Sequence, residues 1–219
     1  AAGNTATANA SHEYGVDTAA EATIAINAVT SDNVVNATES AGTVAITGTV
    51  GGDAKAGDSV TVTVGEHTFT TNVGENGTWS VDVAGSVLAG NTSVNASITA
   101  TDIAGNEVTV GASQPYTVDT AAQASITIDS VTADNTINFN ESNGTVAITG
   151  TVGGDAKAGD TVTVTVGEHT FTATVVQGGT WSVDVAGSIL AGNTSVSASI
   201  TATDTAGNEV TVGASQPYT

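Results

Sequence analysis

Aspartate and asparagine recur at fixed places in this chain. They lie in Val16-Asp17-Thr18, in SDNVVNATES (31–40), in GGDAKAGD (51–58) and in DIAGNE (102–107). The same kinds of segment return at Val118-Asp119-Thr120, ADNTINFNES (133–142), GGDAKAGD (153–160) and DTAGNE (204–209). Carboxylate and amide oxygens in loops are the ligands of a hard cation. Calcium accepts six to eight such oxygens in flexible geometry, whereas magnesium demands a stricter octahedron. Zinc would need histidine or cysteine, and the chain has only His12, His67 and His169 and no cysteine. The twelve-residue spacing and glycine of an EF-hand are absent, as is the Gly-Gly-x-Gly-x-Asp nonapeptide. Asp102-Ile103-Ala104-Gly105-Asn106 serves equally as a plain turn. Taken singly, each acidic residue is as well explained by turn closure as by metal binding; taken together they favour a metal.

Other chemistry finds little support. His67 and His169 follow Gly-Glu in a tight hairpin, and no serine–histidine–acid set is suggested. Two carboxylates could hydrolyse a glycoside, but nothing sets a pair across a deep cleft. With two lysines, no arginine and a formal charge of −20, the surface repels nucleic acid and anionic lipid. No apolar run approaches the roughly 20 residues of a membrane helix. No signal peptide opens the sequence, which reads as an excised piece.

The elements that position these loops are repeated. Residues 42–117 and 144–219 differ at nine of 76 positions, with a period of 102 and no insertion. That period is the size of one small sandwich domain and too long for a solenoid unit. Val60, Val62 and Val64 alternate with threonines, and Trp79, Val81 and Val83 with Ser80 and Asp82. Such period-2 patterning marks half-buried antiparallel strands. Seven strands are expected per repeat, near 22–28, 42–50, 59–65, 67–73, 78–83, 93–101 and 107–117, and again 102 positions on. The predicted fold is all-β: two tandem immunoglobulin-like Greek-key β-sandwiches of about seven strands each, a closed barrel being the alternative. Trp79, Phe69, Trp181 and Phe171 should sit between the sheets. The expected divisions are 1–16, 17–118 and 119–219. Residues 1–16 align with 103–118 and read as the last strand of a preceding repeat, extended and either mobile or paired with a neighbouring molecule.

No Gly/Ser linker separates the copies, so close stacking is expected. Strand direction puts GGDAKAGD, GENG and DIAGNE at one end of each repeat, beside Asp17 or Asp119. It puts SDNVVNATES, GEH and AGSVLAGNTS at the other. Asp119, Asp155, Asp160 and Asp204 should therefore meet at the central joint, faced by Asp32, Asn33, Asn36 and Glu39. Carboxylates that close repel one another unless a cation joins them.

The combination of VDTAA, AITGTVGGDAKAGDSVTVTV, GTWSVDV, LAGNTSVNASITATD and DIAGNEVTV resembles the bacterial immunoglobulin-like extender repeats of giant repeats-in-toxin and biofilm-type surface adhesins, ice-binding adhesins included. The resemblance covers residues 17–219. It implies a non-enzymatic, secreted, cell-surface stalk segment in which Ca2+ stiffens the joints and a distal domain does the binding. It implies calcium ligands at Asp17 and Asp119 and, with Asn106 and Asn208 in the same turns, at Asp102 and Asp204. Further candidates are Asp32, Asn36 and Glu39, their counterparts Asp134, Asn138 and Glu141, and Asp53, Asp58, Asp155 and Asp160. Ala19-Ala20 and Ala121-Ala122 stand where many members have Ala-Pro, which bears on linker rigidity. The expected partners are neighbouring repeats of the same chain, in a monomeric spacer that neither binds nucleic acid nor inserts in a membrane. Two other roles are weighed: a module recognising glycan or a cell-surface partner, for which the differing loops 74–77 and 176–179 are the candidate patch, and homotypic cadherin-like adhesion through residues 1–16.

Overall fold

The computed structural model describes residues 2–219. The first repeat runs β1 (Ala22–Ile26), β2 (Val34–Val35), α1 (Ala37–Ala41), β3 (Thr43–Gly52), β4 (Ser59–Val64), β5 (His67–Asn72), β6 (Thr78–Ala84), α2 (Gly85–Ala89), β7 (Ser93–Thr101) and β8 (Glu107–Pro115). After β9 (Thr117–Val118) the order returns: β10 (Ala124–Ile126), α3 (Phe139–Ser142), β11 (Thr145–Gly154), β12 (Thr161–Val166), β13 (His169–Thr174), β14 (Thr180–Ala186), α4 (Gly187–Leu190), β15 (Ser195–Thr203) and β16 (Glu209–Pro217). Each repeat is an immunoglobulin-like sandwich of a three-stranded and a four-stranded sheet. The orders are β1-β3-β6 with β5-β4-β7-β8, then β10-β11-β14 with β13-β12-β15-β16.

By contacts the chain divides into two compact units. One holds residues 2–28, Ala45–Val83 and Ser93–Pro115; the other holds Val29–Val44, Ala84–Thr92 and Tyr116–Thr219. The second unit therefore contains the whole second repeat together with two loops of the first.

In each unit the valine–threonine alternation does what period-2 patterning requires. Val162, Val164 and Val166 are fully buried, as are Val60, Val62 and Val64 in the first unit. They face inward because β12 pairs with β13 and β15 on its two edges, in a register that sets Val164 opposite Phe171 and Ala198. The threonines between them point to solvent. Trp79 and Trp181 are buried at 3% and 2% exposure, as expected. Both indole N–H groups lack an acceptor among the described residues. Phe171 is only half buried, packing on the core from β13. That strand is a sheet edge, so one side of the ring lacks a neighbouring strand. Tyr218 is buried with its hydroxyl donating to the carbonyl of Leu190 at 2.9 Å, and burial pushes its pKa up.

The strands lie where alternation puts them, with three departures. β10 ends at Ile126, although Thr127 and Asp129 go on donating to β11 carbonyls at 2.8 and 2.9 Å. Four helical turns stand inside segments read as loops. Val34–Val35 and Thr117–Val118 form a short parallel pair. Among the described residues, none before Ala22 belongs to a helix or strand, and Tyr14 and Val16 are exposed. No helix is long and apolar enough to cross a membrane.

Candidate metal-binding joint

The joint lies within the second compact unit. One side is the segment from Val29 to Val44, whose α1 opens with a reciprocal cap. Asn36 Oδ1 accepts from the amide of Glu39 at 2.9 Å, and Glu39 Oε2 accepts from the amide of Asn36 at 3.0 Å. Asn-x-x-Glu is a capping-box signature, so the sequence did carry a sign of this turn. Asn138 and Glu141 repeat it at 3.1 and 2.9 Å.

The other side is the turn Asp204–Asn208. Asp204 Oδ1 accepts from the amides of Ala206 and Asn208 at 2.9 and 2.8 Å. The Asn208 side-chain amide donates to Asp204 Oδ2 at 2.7 Å and to the main-chain oxygen of Asp119 at 2.8 Å. Its Oδ1 accepts from the amide of Ala37 at 2.7 Å, while Asn36 Nδ2 donates to the carbonyl of Ala206 at 3.0 Å. The amide of Asp119 donates to the carbonyl of Val35 at 3.1 Å. One asparagine, 4% exposed, thus ties together the linker, its own turn and the preceding repeat.

In the first repeat the same turn makes fewer bonds. Asn106 Nδ2 donates to Asp102 Oδ2 at 2.7 Å and to the main-chain oxygen of Asp17 at 3.2 Å. The bond from Ala37 has no counterpart there among the described residues. Accordingly Asn106 is half buried and Ala104 exposed, whereas Asn208 and Ala206 are buried.

The amide of Asn208 holds the Asp204 carboxyl below the ordinary carboxylate range, with burial opposing; Asn106 does the same for Asp102. A depressed carboxyl stabilises the fold above its unfolded pKa, and that contribution is lost as pH falls through the folded value. In an NMR acid titration, Asp204 should therefore protonate below an ordinary aspartate. In Asn208→Ala its midpoint should move back up.

The remaining candidates are engaged in closing their own loops. Asp53 and Asp155 accept from the amides of Glu21 and Gln123 at 2.8 and 2.7 Å. Asp58 and Asp160 accept from the amides of Lys55 and Lys157 at 2.9 and 2.8 Å. Asp32 takes Thr30 and Val34, with its pKa lowered chiefly by the Val34 amide, and Asp134 takes Thr132 and Thr136. Among the described residues, no three His, Asp or Glu side chains are grouped as a metal site. Asp155 and Asp160 thus form no such group with Asp119 and Asp204.

The donor chemistry at the joint nevertheless fits calcium. Every candidate ligand is an oxygen, and the Asp119 carboxylate accepts only one long bond, 3.4 Å from Ala121 N. Its lone pairs are otherwise uncommitted within the chain, and Asn208 holds its main chain beside Asp204. Asp17, with Ala19 N at 3.4 Å, has the same form. The sequence reading overlooked the lysines. Lys55 Nζ donates to the carbonyl of Thr101 and Lys157 Nζ to that of Thr203, at 3.0 and 2.9 Å. The chain's two cationic side chains thus each sit one residue before Asp102 or Asp204.

No family model and no curated protein matches this chain. Solved structures do. A structure from a 1.5-MDa bacterial ice-binding adhesin, studied for host cell surface retention, is 46% identical with a TM-score of 0.86, over 92% of this chain and 65% of that one. A Ca2+-stabilized adhesin with which an Antarctic bacterium reaches out and binds ice is 50% identical with a TM-score of 0.81, over 92% and 50%. A bacterial immunoglobulin-like domain from the M. primoryensis ice-binding adhesin is 52% identical over its whole length and 46% of this chain, with a TM-score of 0.44. The chain belongs to the bacterial immunoglobulin-like extender repeats of large adhesins. Its role is structural and not enzymatic. It spans 65% and 50% of the first two relatives.

Proposed function

We propose that this segment is a calcium-rigidified spacer of a secreted bacterial adhesin, with repeats at 17–118 and 119–219, and that it carries a distal binding domain away from the cell surface. The observation that supports it most is Asn208, whose side chain joins the linker at Asp119, the turn at Asp204 and the preceding repeat at Ala37. Asp119 and Asp204 are the carboxylates that would hold calcium at this joint, and Asp17 and Asp102 are their counterparts. When bound, the ion would supply positive charge to offset the repulsion of these anions. Asn208 orients the main chain of Asp119 and both oxygens of Asp204, whether or not the ion is there.

Calcium that binds the folded, aligned joint better than the unfolded chain stabilises both by linkage. At a free concentration of about 100 times Kd the gain is about 2.7 kcal/mol. Extracellular calcium modules have dissociation constants of about 10⁻⁴–10⁻³ M, a range that millimolar calcium fills. Adding calcium should raise the melting temperature and narrow the distribution of dimensions seen by X-ray scattering, and chelator should reverse both. Identical melting and scattering curves in the two conditions would rule the calcium role out.

A further inference from the structure

The joint has two sides, and the chain carries each side a second time. The presenting side is the segment 32–39, repeated as 134–141. The receiving side is the turn 204–208, repeated as 102–106.

Both repeats of these sides are built as they are in the joint. The cap at Asn138 and Glu141 sets the amide of Phe139 at the same place in its turn as the amide of Ala37. Thr219 donates to Asn135 O at 3.1 Å as Thr117 donates to Asn33 O at 3.1 Å. On the receiving side, Asn106 is fixed to Asp102 and Asp17 as Asn208 is to Asp204 and Asp119.

They differ from the joint in one respect. Phe139 stands where the joint has Ala37, and Ile103 where it has Thr205. Phe139 is 83% exposed and Ile103 fully so, and they are two of the five exposed large apolar side chains in the described chain. Ala37 and Thr205 are themselves exposed at the rim of the joint. Larger apolar side chains at those two positions can reach one another across that rim.

We infer that two copies of this chain dock head to tail, with the Phe139 turn of one copy seated on the Asp102–Asn106 turn of the next. The amide of Phe139 donates to the Asn106 side-chain oxygen, and the ring covers Ile103. The contact joins unlike surfaces, so each copy keeps one free face and growth is open-ended. Both surfaces are acidic, so screening by salt strengthens the association. It uses no metal, so it stands or falls apart from the calcium reading.

Sedimentation velocity on the full chain, in chelator and at moderate salt, tests this over a concentration series reaching the millimolar range. Wild type should form a growing series of oligomers. Phe139→Ala and Ile103→Thr should each weaken this by about tenfold or more, the loss expected for one large apolar contact. Both side chains are exposed, so circular dichroism and melting should stay unchanged. An equimolar mixture of the two variants keeps one intact Phe139 face and one intact Ile103 face. It should give a dimer that grows no further. A wild type that stays monomeric throughout overturns the proposal. So does association that ignores both substitutions, or an Ile103→Thr chain that dimerises as well as wild type, which would mark a Phe139–Phe139 contact instead.

Discussion

Gly150→Ala is expected to destabilise the second repeat by about 3 kcal/mol, at the upper end of what overpacking costs. A Cβ at Gly150 would overlap the carbonyl oxygen of Thr127 and come 2.6 Å from the Trp181 ring. Neither can yield cheaply. Thr127 is held to β11 through its amide, and the indole is packed between the sheets at 2% exposure. The glycine is required by close approach alone, since its backbone is not left-handed. A loss of that size should lower the melting temperature by more than about 10 °C, at some 4–8 °C per kcal/mol for a domain near 100 residues. Gly144→Ala is the control, because a Cβ there meets only Asn140 O at 3.5 Å and Glu141 O at 3.8 Å. A melting temperature unchanged in Gly150→Ala would mean that the strand and ring move apart freely. Gly48→Ala should behave alike, since its Cβ would overlap Ala25 O and the Trp79 ring.

Asn208→Ala should cost about 3 kcal/mol, and Asn106→Ala about 1. Losing Asn208 removes bonds to Asp119, Asp204 and Ala37 at a site 4% exposed. Each buried polar group left without a partner costs about 1–3 kcal/mol. Asn106 makes no bond to a preceding repeat, and its bond to Asp17 is longer, at 3.2 Å. Water can also replace it on a half-buried turn. Urea melts of the full chain with each substitution give the comparison. Equal losses would show that the cross-repeat bonds add nothing. Asn208→Asp refines the result: it keeps an oxygen for Ala37 but sets a carboxylate against Asp204. It should be less stable than Asn208→Ala in chelator and gain more on adding calcium.

Much of the fold is local and so was legible. Val162, Val164 and Val166 alternate with threonine, and a strand's side chains must alternate faces, so the buried face of β12 follows from order alone. Turn residues between such runs fixed the strand count, and the near-identity of 42–117 and 144–219 fixed the tandem arrangement. The grouping of loops at two ends also followed, since antiparallel strands leave no other choice. The capping boxes were written in Asn36-x-x-Glu39 and Asn138-x-x-Glu141, but metal chemistry was the competing reading of the same residues. Phe171 escaped a pattern argument because alternation gives the face of a side chain and not whether the strand is an edge.

What the sequence determined by itself is the repeated sandwich, its all-oxygen loops and its family, because periodicity, turn chemistry and repetition are properties of neighbours along the chain. Tertiary structure alone decided the difference between Asn106 and Asn208. Both lie in Ala-Gly-Asn-Glu-Val-Thr-Val, yet one is half exposed and the other buried and bonded to Ala37. The cause is a segment 171 positions away, and burial depends on what arrives from elsewhere in the chain.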